Sequence, residues 1–439
     1  MWGSTCLQNI KVMYKKLLIL FFPVWLAANA QVSLDRFAIT GVTIIDADHP
    51  VSLPHQTVLI HHNIIEDVFP DGSRPIPDTF HILKMTGKYL LPGLIDVHVH
   101  LATDPSGEDN REHTLNTLKR MLLKGVTSVR DMAGDARILA GLSRDALTGD
   151  VPSPNIYYSA LMAGPEFFSD PRTATSTRGA EAGHTPFMLA VTDTTDLPAA
   201  IAAAKGTGAT GIKLYANLSS RLAASIIAEA HKQHMVVWGH AWLQQAKPSD
   251  LVKAGIDVIS HAPLIIREKL DSIPTAWKKE HHDEQFWNSV TPDLSGLFDL
   301  MKSRHTILDP TLLTYKQWAA EDPGMQYDYE LTRRITAQAY RSGITIAAGT
   351  DDDQKEFVDK EIELLVKDAG FTAIDAIIAG TLNGAKTLNI DKSVGTVAKG
   401  KIADLMLLEK NPLEKIDNIG SVVMVIKDGR IYVYKAGGI

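Results

Sequence analysis

The sequence predicts an α/β chain whose long middle section is a (β/α)8 TIM-type barrel, with a discontinuous β-sandwich domain built from both termini. Three observations predict this. From Phe37 to Leu91, short runs of β-type residues alternate with Asn, Asp, Gly and Pro turns, and the tail repeats the style. Between these ends, apolar runs alternate with helical stretches, as a βα repeat requires. A chain of 439 residues, 45% apolar and 22% charged, can bury one large core and a smaller one. The expected division is a leader over 1–30, a sandwich over 31–91 and 388–439, and a barrel over 92–387.

The leader reads as an export signal. Lys15 and Lys16 precede an apolar run from Leu17 to Ala27, and Ala28-Asn29-Ala30 offers small residues for cleavage, so mature protein is expected to begin near Gln31. The run is shorter than the roughly 20 residues a bilayer span needs, so no stable membrane span is expected. Met13 offers an alternative start, because the stretch ahead of it is long for a signal. The single cysteine, Cys6, lies before the apolar run, which leaves the mature chain without thiols and suits an oxidising compartment, periplasmic or secreted.

Sandwich strands are expected at Ala38 to Ile45 and Thr57 to Ile60, and again at Asp404 to Leu408, Val422 to Ile426 and Ile431 to Tyr434. Neither set alone buries two faces, hence one domain from both ends. The eight barrel strands are expected to end near His100, Arg130, Ala160, Tyr215, His240, His261, Pro310 and Thr350, with helices over Arg111 to Lys124, Leu197 to Lys205, Arg221 to His234 and Asp328 to Arg341. Two segments, Ser169 to Thr195 and Lys269 to Pro292, are too long for plain connections and read as elaborated loops over the barrel mouth.

Catalytic groups on such a barrel sit where strands end. The first strand closes with His98-Val99-His100, two imidazoles on one strand face. Taken alone, the pair is better read as two strand histidines satisfied by local hydrogen bonds. His240 and His261 each end an apolar run at the fifth and sixth strands, and four histidines at matching depth point to a metal site, with zinc the expected ion. The eighth strand delivers Asp351; an Asp there could instead cap the next helix, but Asp352 and Asp353 are available for that role. Lys213 lies within the fourth strand. Burial favours its neutral amine, which can take up carbon dioxide to give a carbamate able to bridge two ions, while the alternative is a lysine snorkelling to solvent.

These residues resemble the amidohydrolase superfamily, in particular its imidazolonepropionase-like and prolidase-like branch. The resemblance rests on Leu91 to His100, Thr127 to Asp131, Ile212 to Tyr215, His240, Ser260 to Ala262 and Gly349 to Asp351, with Thr381 to Ala385 and Gly395 to Leu405 in the tail. It implies a metal-dependent hydrolase in which His98, His100 and Asp351 hold the more buried of two divalent ions and His240 and His261 the outer one. A carbamate on Lys213, together with a bridging hydroxide, would join them. It further implies that Asp351 takes the hydroxide proton and passes it to the leaving amine. Tyr215, on the same strand face as Lys213, is a candidate hydrogen-bond donor to the carbonyl oxygen, with a packed barrel tyrosine as the equal alternative.

Deaminases of the superfamily place a glutamate three positions after the fifth-strand histidine, where this chain has Leu243. Lys213 likewise argues against the mononuclear imidazolonepropionase reaction. The expected activity is therefore hydrolysis of a C–N amide bond in a dipeptide, an N-acyl amino acid or a cyclic amide, with lactone or phosphoester hydrolysis, or binding without turnover, as competing readings. His184 in the long loop and Arg267, or Lys269, after the sixth strand are the candidate substrate-binding residues. His61, His62, His231, His234, His281 and His282 read as solvated surface, and the sequon at Asn217 as chance. The net charge of −7 comes from interspersed acids and bases without a basic stripe, so the expected partner is a small molecule or dipeptide and not nucleic acid; the sequence leaves a homo-oligomer open.

Overall fold

The computed structural model describes residues 31–32, 34–102, 111–269, 292–352 and 356–433. The expected leader, with Cys6, therefore lies outside the described residues, as do Asp353, His281, His282 and almost all of the second elaborated loop. Among the described residues, no helix is long and apolar enough to cross a membrane.

Six strands precede the barrel: β1 (Gln31–Val32), β2 (Arg36–Asp46), β3 (His49–His61), β4 (Ile64–Pro70), β5 (His81–Lys84) and β6 (Tyr89–Pro92). Three more close the chain, after nine strands that begin at Leu94: β16 (Leu405–Leu408), β17 (Val422–Lys427) and β18 (Arg430–Val433). Together these nine form one mixed sheet in the order β1-β18-β17-β16-β6-β2-β3-β4, with β5 pairing β2. The two halves of the chain meet where β6 pairs antiparallel with β16 and parallel with β2. Alternation along the strands sends Phe37, Ile39, Val58 and Ile60 to the same apolar cluster as Leu405, Leu407, Met424 and Ile426, which is what a period-2 pattern at both termini requires.

The second sheet is the barrel. Its walls are β7 (Leu94–Val99), β8 (Val126–Asp131), β9 (Asn155–Ala163), β12 (Gly211–Leu214), β13 (Val236–His240), β14 (Val258–Ser260) and β15 (Ile307–Asp309), each parallel to the next. The eighth position is a segment without a full ladder: Leu308 bridges Ile346 on one side and Val99 bridges Asp352 on the other, so the ring closes. Helices cover it in alternation. In Ser220–Lys232, Leu222, Ala223, Ile226, Ile227 and Ala230 face inward, and Ser219 caps the N-terminus by accepting from Leu222 N at 3.2 Å. This hydroxyl starts the helix one residue ahead of the expected Arg221. The third strand runs to Ala163, beyond the expected Ala160, because β10 (His184–Thr185) and β11 (Met188–Ala190) form a hairpin in the elaborated loop and β11 adds a parallel ladder to the end of β9.

Candidate metal centre and active-site cavity

The chain leaves the barrel strands abruptly. Ala133, Asn217, Gln244, His261, Thr311 and Asp351 all carry φ between 48° and 90° and stand just beyond strand ends. Left-handed φ in a non-glycine residue costs roughly 1–3 kcal/mol and survives only where the surroundings over-determine it. His98, His100, Lys213, Tyr215, His240, His261 and Asp351 line one cavity of about 540 Å³; of these, His261 and Asp351 carry the left-handed φ.

Asp351 stands at the centre. One carboxylate oxygen lies 3.4 Å from His98 Nε2 and 3.0 Å from His100 Nε2, and the other lies 3.8 Å from His261 Nδ1. Donor atoms of His98, His261 and Asp351 fall within 4.8 Å of one another, and the His240 ring is 4.4 Å from that of His261. Burial lowers the pKa of His98, takes His240 well below the ordinary histidine value and pushes His261 down to about 3, so these imidazoles are neutral at pH 7 and keep a lone pair. Burial would raise Asp351, but His98, His100 and His261 together hold it well below the usual carboxylate range. Lys213 is pushed down to about 8 by burial and donates to the Met132 carbonyl at 3.2 Å. His98 Nε2 is buried and has no hydrogen-bond partner. An orphaned imidazole nitrogen beside an ionised carboxylate and further neutral imidazoles fits a divalent cation.

Beneath the cluster lies a layer absent from the sequence reading. Asp309, at the end of β15, is fully buried and accepts from His98 Nδ1 (2.7 Å), Ser260 Oγ (2.8 Å) and Arg130 Nη2 (3.3 Å). Arg130, also fully buried, donates its Nε to Val97 O and places its guanidinium 4.8 Å from the Trp238 ring. Gly349 permits the eighth segment to approach this layer: a Cβ there would stand 2.4 Å from Asp309 Oδ1 and 2.7 Å from His98 Cβ. The one available signal was an acid closing the apolar run Ile307-Leu308-Asp309, which Pro310 disguises as a turn.

Neither candidate substrate-binding residue lines the cavity. His184 sits on the outer hairpin with a side chain 66% exposed. Arg267 is buried in a 3-10 turn, lies over the Trp242 ring at 4.9 Å and lines a separate cavity of about 180 Å³. Lys269, at the end of the same turn, is exposed. Among the described residues, the cation that reaches the main cavity beside Lys213 is Arg172, on the short helix Pro171–Ser176 within the first elaborated loop. Buried Asp170 caps that helix and pairs with Arg172 at 3.0 Å. Arg172 also donates to Tyr215. The Tyr215 ring is wedged between Phe167 (4.5 Å) and His240 (4.1 Å), and burial raises its phenol above the ordinary value, so it keeps its proton. Trp242, Leu264, Tyr315 and a 42% exposed Trp318 complete an apolar wall. Asn217 is buried, which bars a glycan from the sequon. His61 and His62 stack at 4.3 Å on the surface.

The model of the amidohydrolase family matches residues 89–271 and 332–432, well over half of the chain. The chain belongs to the amidohydrolase family. The match takes in the strand ends that bear His98, His100, Lys213, His240 and His261, as well as the helices after the eighth segment. An ochratoxinase from Aspergillus niger is 24% identical to this amidohydrolase over 391 residues, covering 78% of this chain and 75% of the relative. A Xaa-Pro dipeptidase with methionine bound in its active site superposes with a TM-score of 0.72 at 23% identity, over 91% of this chain and all (100%) of that one. A molinate hydrolase does so with a TM-score of 0.71 at 17% identity, over 91% and 95%. These two likenesses are of fold. Amidohydrolases are metal-dependent hydrolases of C–N bonds, and the His98, His261 and Asp351 donors form a triad able to hold an ion.

Proposed function

We propose that this amidohydrolase cleaves a C–N amide bond in a dipeptide, an N-acyl amino acid or a cyclic amide with the help of two divalent ions, zinc being the expected metal, and that it works after export, in the periplasm or outside the cell. The observation that carries the reading is the convergence of four imidazoles, one ionised carboxylate and one buried amine on a single cavity at the strand ends. His98, His100 and Asp351 would hold one ion, His240 and His261 the other, and Lys213, as a carbamate, would serve both. Ions so held lower the pKa of water and polarise a carbonyl.

The side chains do the rest. Asp351, ionised and touching the cavity, accepts the proton of the attacking water and returns it to the leaving nitrogen. Tyr215, which takes a hydrogen bond from Arg172 and keeps its own hydroxyl proton, would donate that proton to a hydrogen bond with the carbonyl oxygen. Arg172, which lines the cavity, would supply positive charge for a substrate carboxylate. The apolar wall excludes water and receives the side chain next to the scissile bond.

The test is metal quantification followed by a library of dipeptides and N-acyl amino acids. Two ions per chain and turnover abolished by chelation are expected. Metal-independent turnover, or turnover confined to lactones or phosphoesters, would overturn the assignment.

A further inference from the structure

The seventh barrel strand supplies no metal ligand, yet two residues at its end each make a hydrogen bond to a ligand imidazole. Asp309 Oδ2 lies 2.7 Å from His98 Nδ1, and Thr311 Oγ1 lies 3.0 Å from His261 Nδ1. These two histidines come from different strands, the first and the sixth, and belong to different ions in the scheme above. Resting on that reading, we propose that Asp309 and Thr311 are positioning residues: they fix both imidazoles as Nδ1–H tautomers and thereby present both Nε2 lone pairs to the ions.

The chemistry of each contact favours this. An ionised carboxylate can only accept, so the proton between Asp309 and His98 belongs to Nδ1. The buried Arg130 guanidinium, 3.3 Å from the Asp309 carboxylate, favours its ionised form, and the Ser260 hydroxyl donates to the same oxygen. His98 Nε2 is then left without a proton, which agrees with its lack of any hydrogen-bond partner. Thr311 is held just as firmly. It has φ 54°, an unusual conformation for a β-branched residue, and the two amides that follow it, Leu312 N and Leu313 N, donate to the buried Glu361 carboxyl at 3.0 and 2.7 Å. His261 itself has φ 72°. Two strained residues thus meet at one hydrogen bond, an arrangement that packing alone does not call for. A threonine hydroxyl can accept from Nδ1–H at the observed 3.0 Å, and in the proposed arrangement it takes that role, which leaves the Nε2 lone pair for an ion.

The experiment uses full-length protein labelled with 15N-histidine, stripped of metal, with the tautomer of each ring read from two-bond 1H–15N couplings. His98 and His261 are assigned through His98→Gln and His261→Gln spectra. Both rings should show Nδ1–H and unprotonated Nε2 before any ion is added. Thr311→Val should release His261 to a mixture of tautomers while His98 is unchanged, and should weaken one of two cobalt(II) sites by about 10–100-fold in a chelator competition. Thr311→Ser, which keeps the hydroxyl, should restore both readouts. Asp309→Asn should perturb His98 and the other cobalt site. A wild-type His261 carrying its proton on Nε2, or a Thr311→Val spectrum identical to wild type, would overturn the proposal. Failure of the functional reading looks different: cobalt would not bind or amides would not turn over, although the tautomers were as expected.

Discussion

Arg130 and Asp309 form an ion pair with no exposure to solvent, 3.3 Å apart, directly under His98. At that separation and an effective dielectric of about 20, their attraction is about 5 kcal/mol. The desolvation of two charges offsets part of it, so the pair need not add net stability, but removing one partner leaves the other charge buried and costs about 3–5 kcal/mol. Arg130→Met keeps most of the side-chain volume and removes only the charge and its donors. Loss of that size is expected in urea unfolding, and Asp309→Asn should lose a similar amount. The double variant should be less destabilised than the sum of the two, with a coupling of about 3 kcal/mol, because neither charge is then stranded. Coupling within about 0.5 kcal/mol of zero, with both single variants folded, would refute the idea that the two charges neutralise each other inside the barrel.

Other perturbations probe other parts of the site. Lys213→Ala should lose one of two bound ions and nearly all turnover; retained activity with unchanged metal content would remove the bridge from the mechanism. Gly349→Ala places a methyl 2.4 Å from Asp309 Oδ1 and 2.7 Å from His98 Cβ, and a shift of about 1 Å in a catalytic group can cost about 100-fold in rate, so an unchanged kcat/KM would contradict the tight approach. At the junction with the mixed sheet, burial pushes the Asp404 carboxyl up to about 7, with Asp428 adding to the rise. A carboxyl raised in the folded state stabilises at low pH, and that contribution is lost as pH climbs through about 4 to about 7. Asp404→Asn carries no such titration, so its stability relative to wild type should improve by on the order of 1–4 kcal/mol between pH 5 and pH 8; a difference independent of pH would argue against it.

Much of the site was legible because strand periodicity carries direction. His98, Lys213 and His240 stand at or next to the ends of apolar runs, and a two-residue repeat inside a barrel leaves few ways for them to point. The paired β-rich termini announced the joint sheet in the same way, since β6 and β16 each expose an edge that the other satisfies. Loops carry no such periodicity. His184 and Arg267 were chosen by position after a strand, yet one projects from a hairpin and the other packs on Trp242, while Arg172 reaches the cavity because Asp170 both starts its helix and grips its guanidinium. Asp309 was hidden for a different reason: its importance lies in what surrounds it, three donors from three other strands, and no local pattern reports that. The same holds for the extension of β9, which depends on a partner strand 27 residues further along, Ala190 pairing with Ala163, outside any local window.

The most direct measurement is anomalous X-ray scattering from crystals grown with zinc, collected on both sides of the metal edge. Two peaks are expected in the cavity, about 3.5–4 Å apart, ringed by His98, His100, Lys213, His240, His261 and Asp351, with extra density on the lysine amine. A single peak, or ions held elsewhere while Lys213 still points at the Met132 carbonyl, would contradict a paired metal centre.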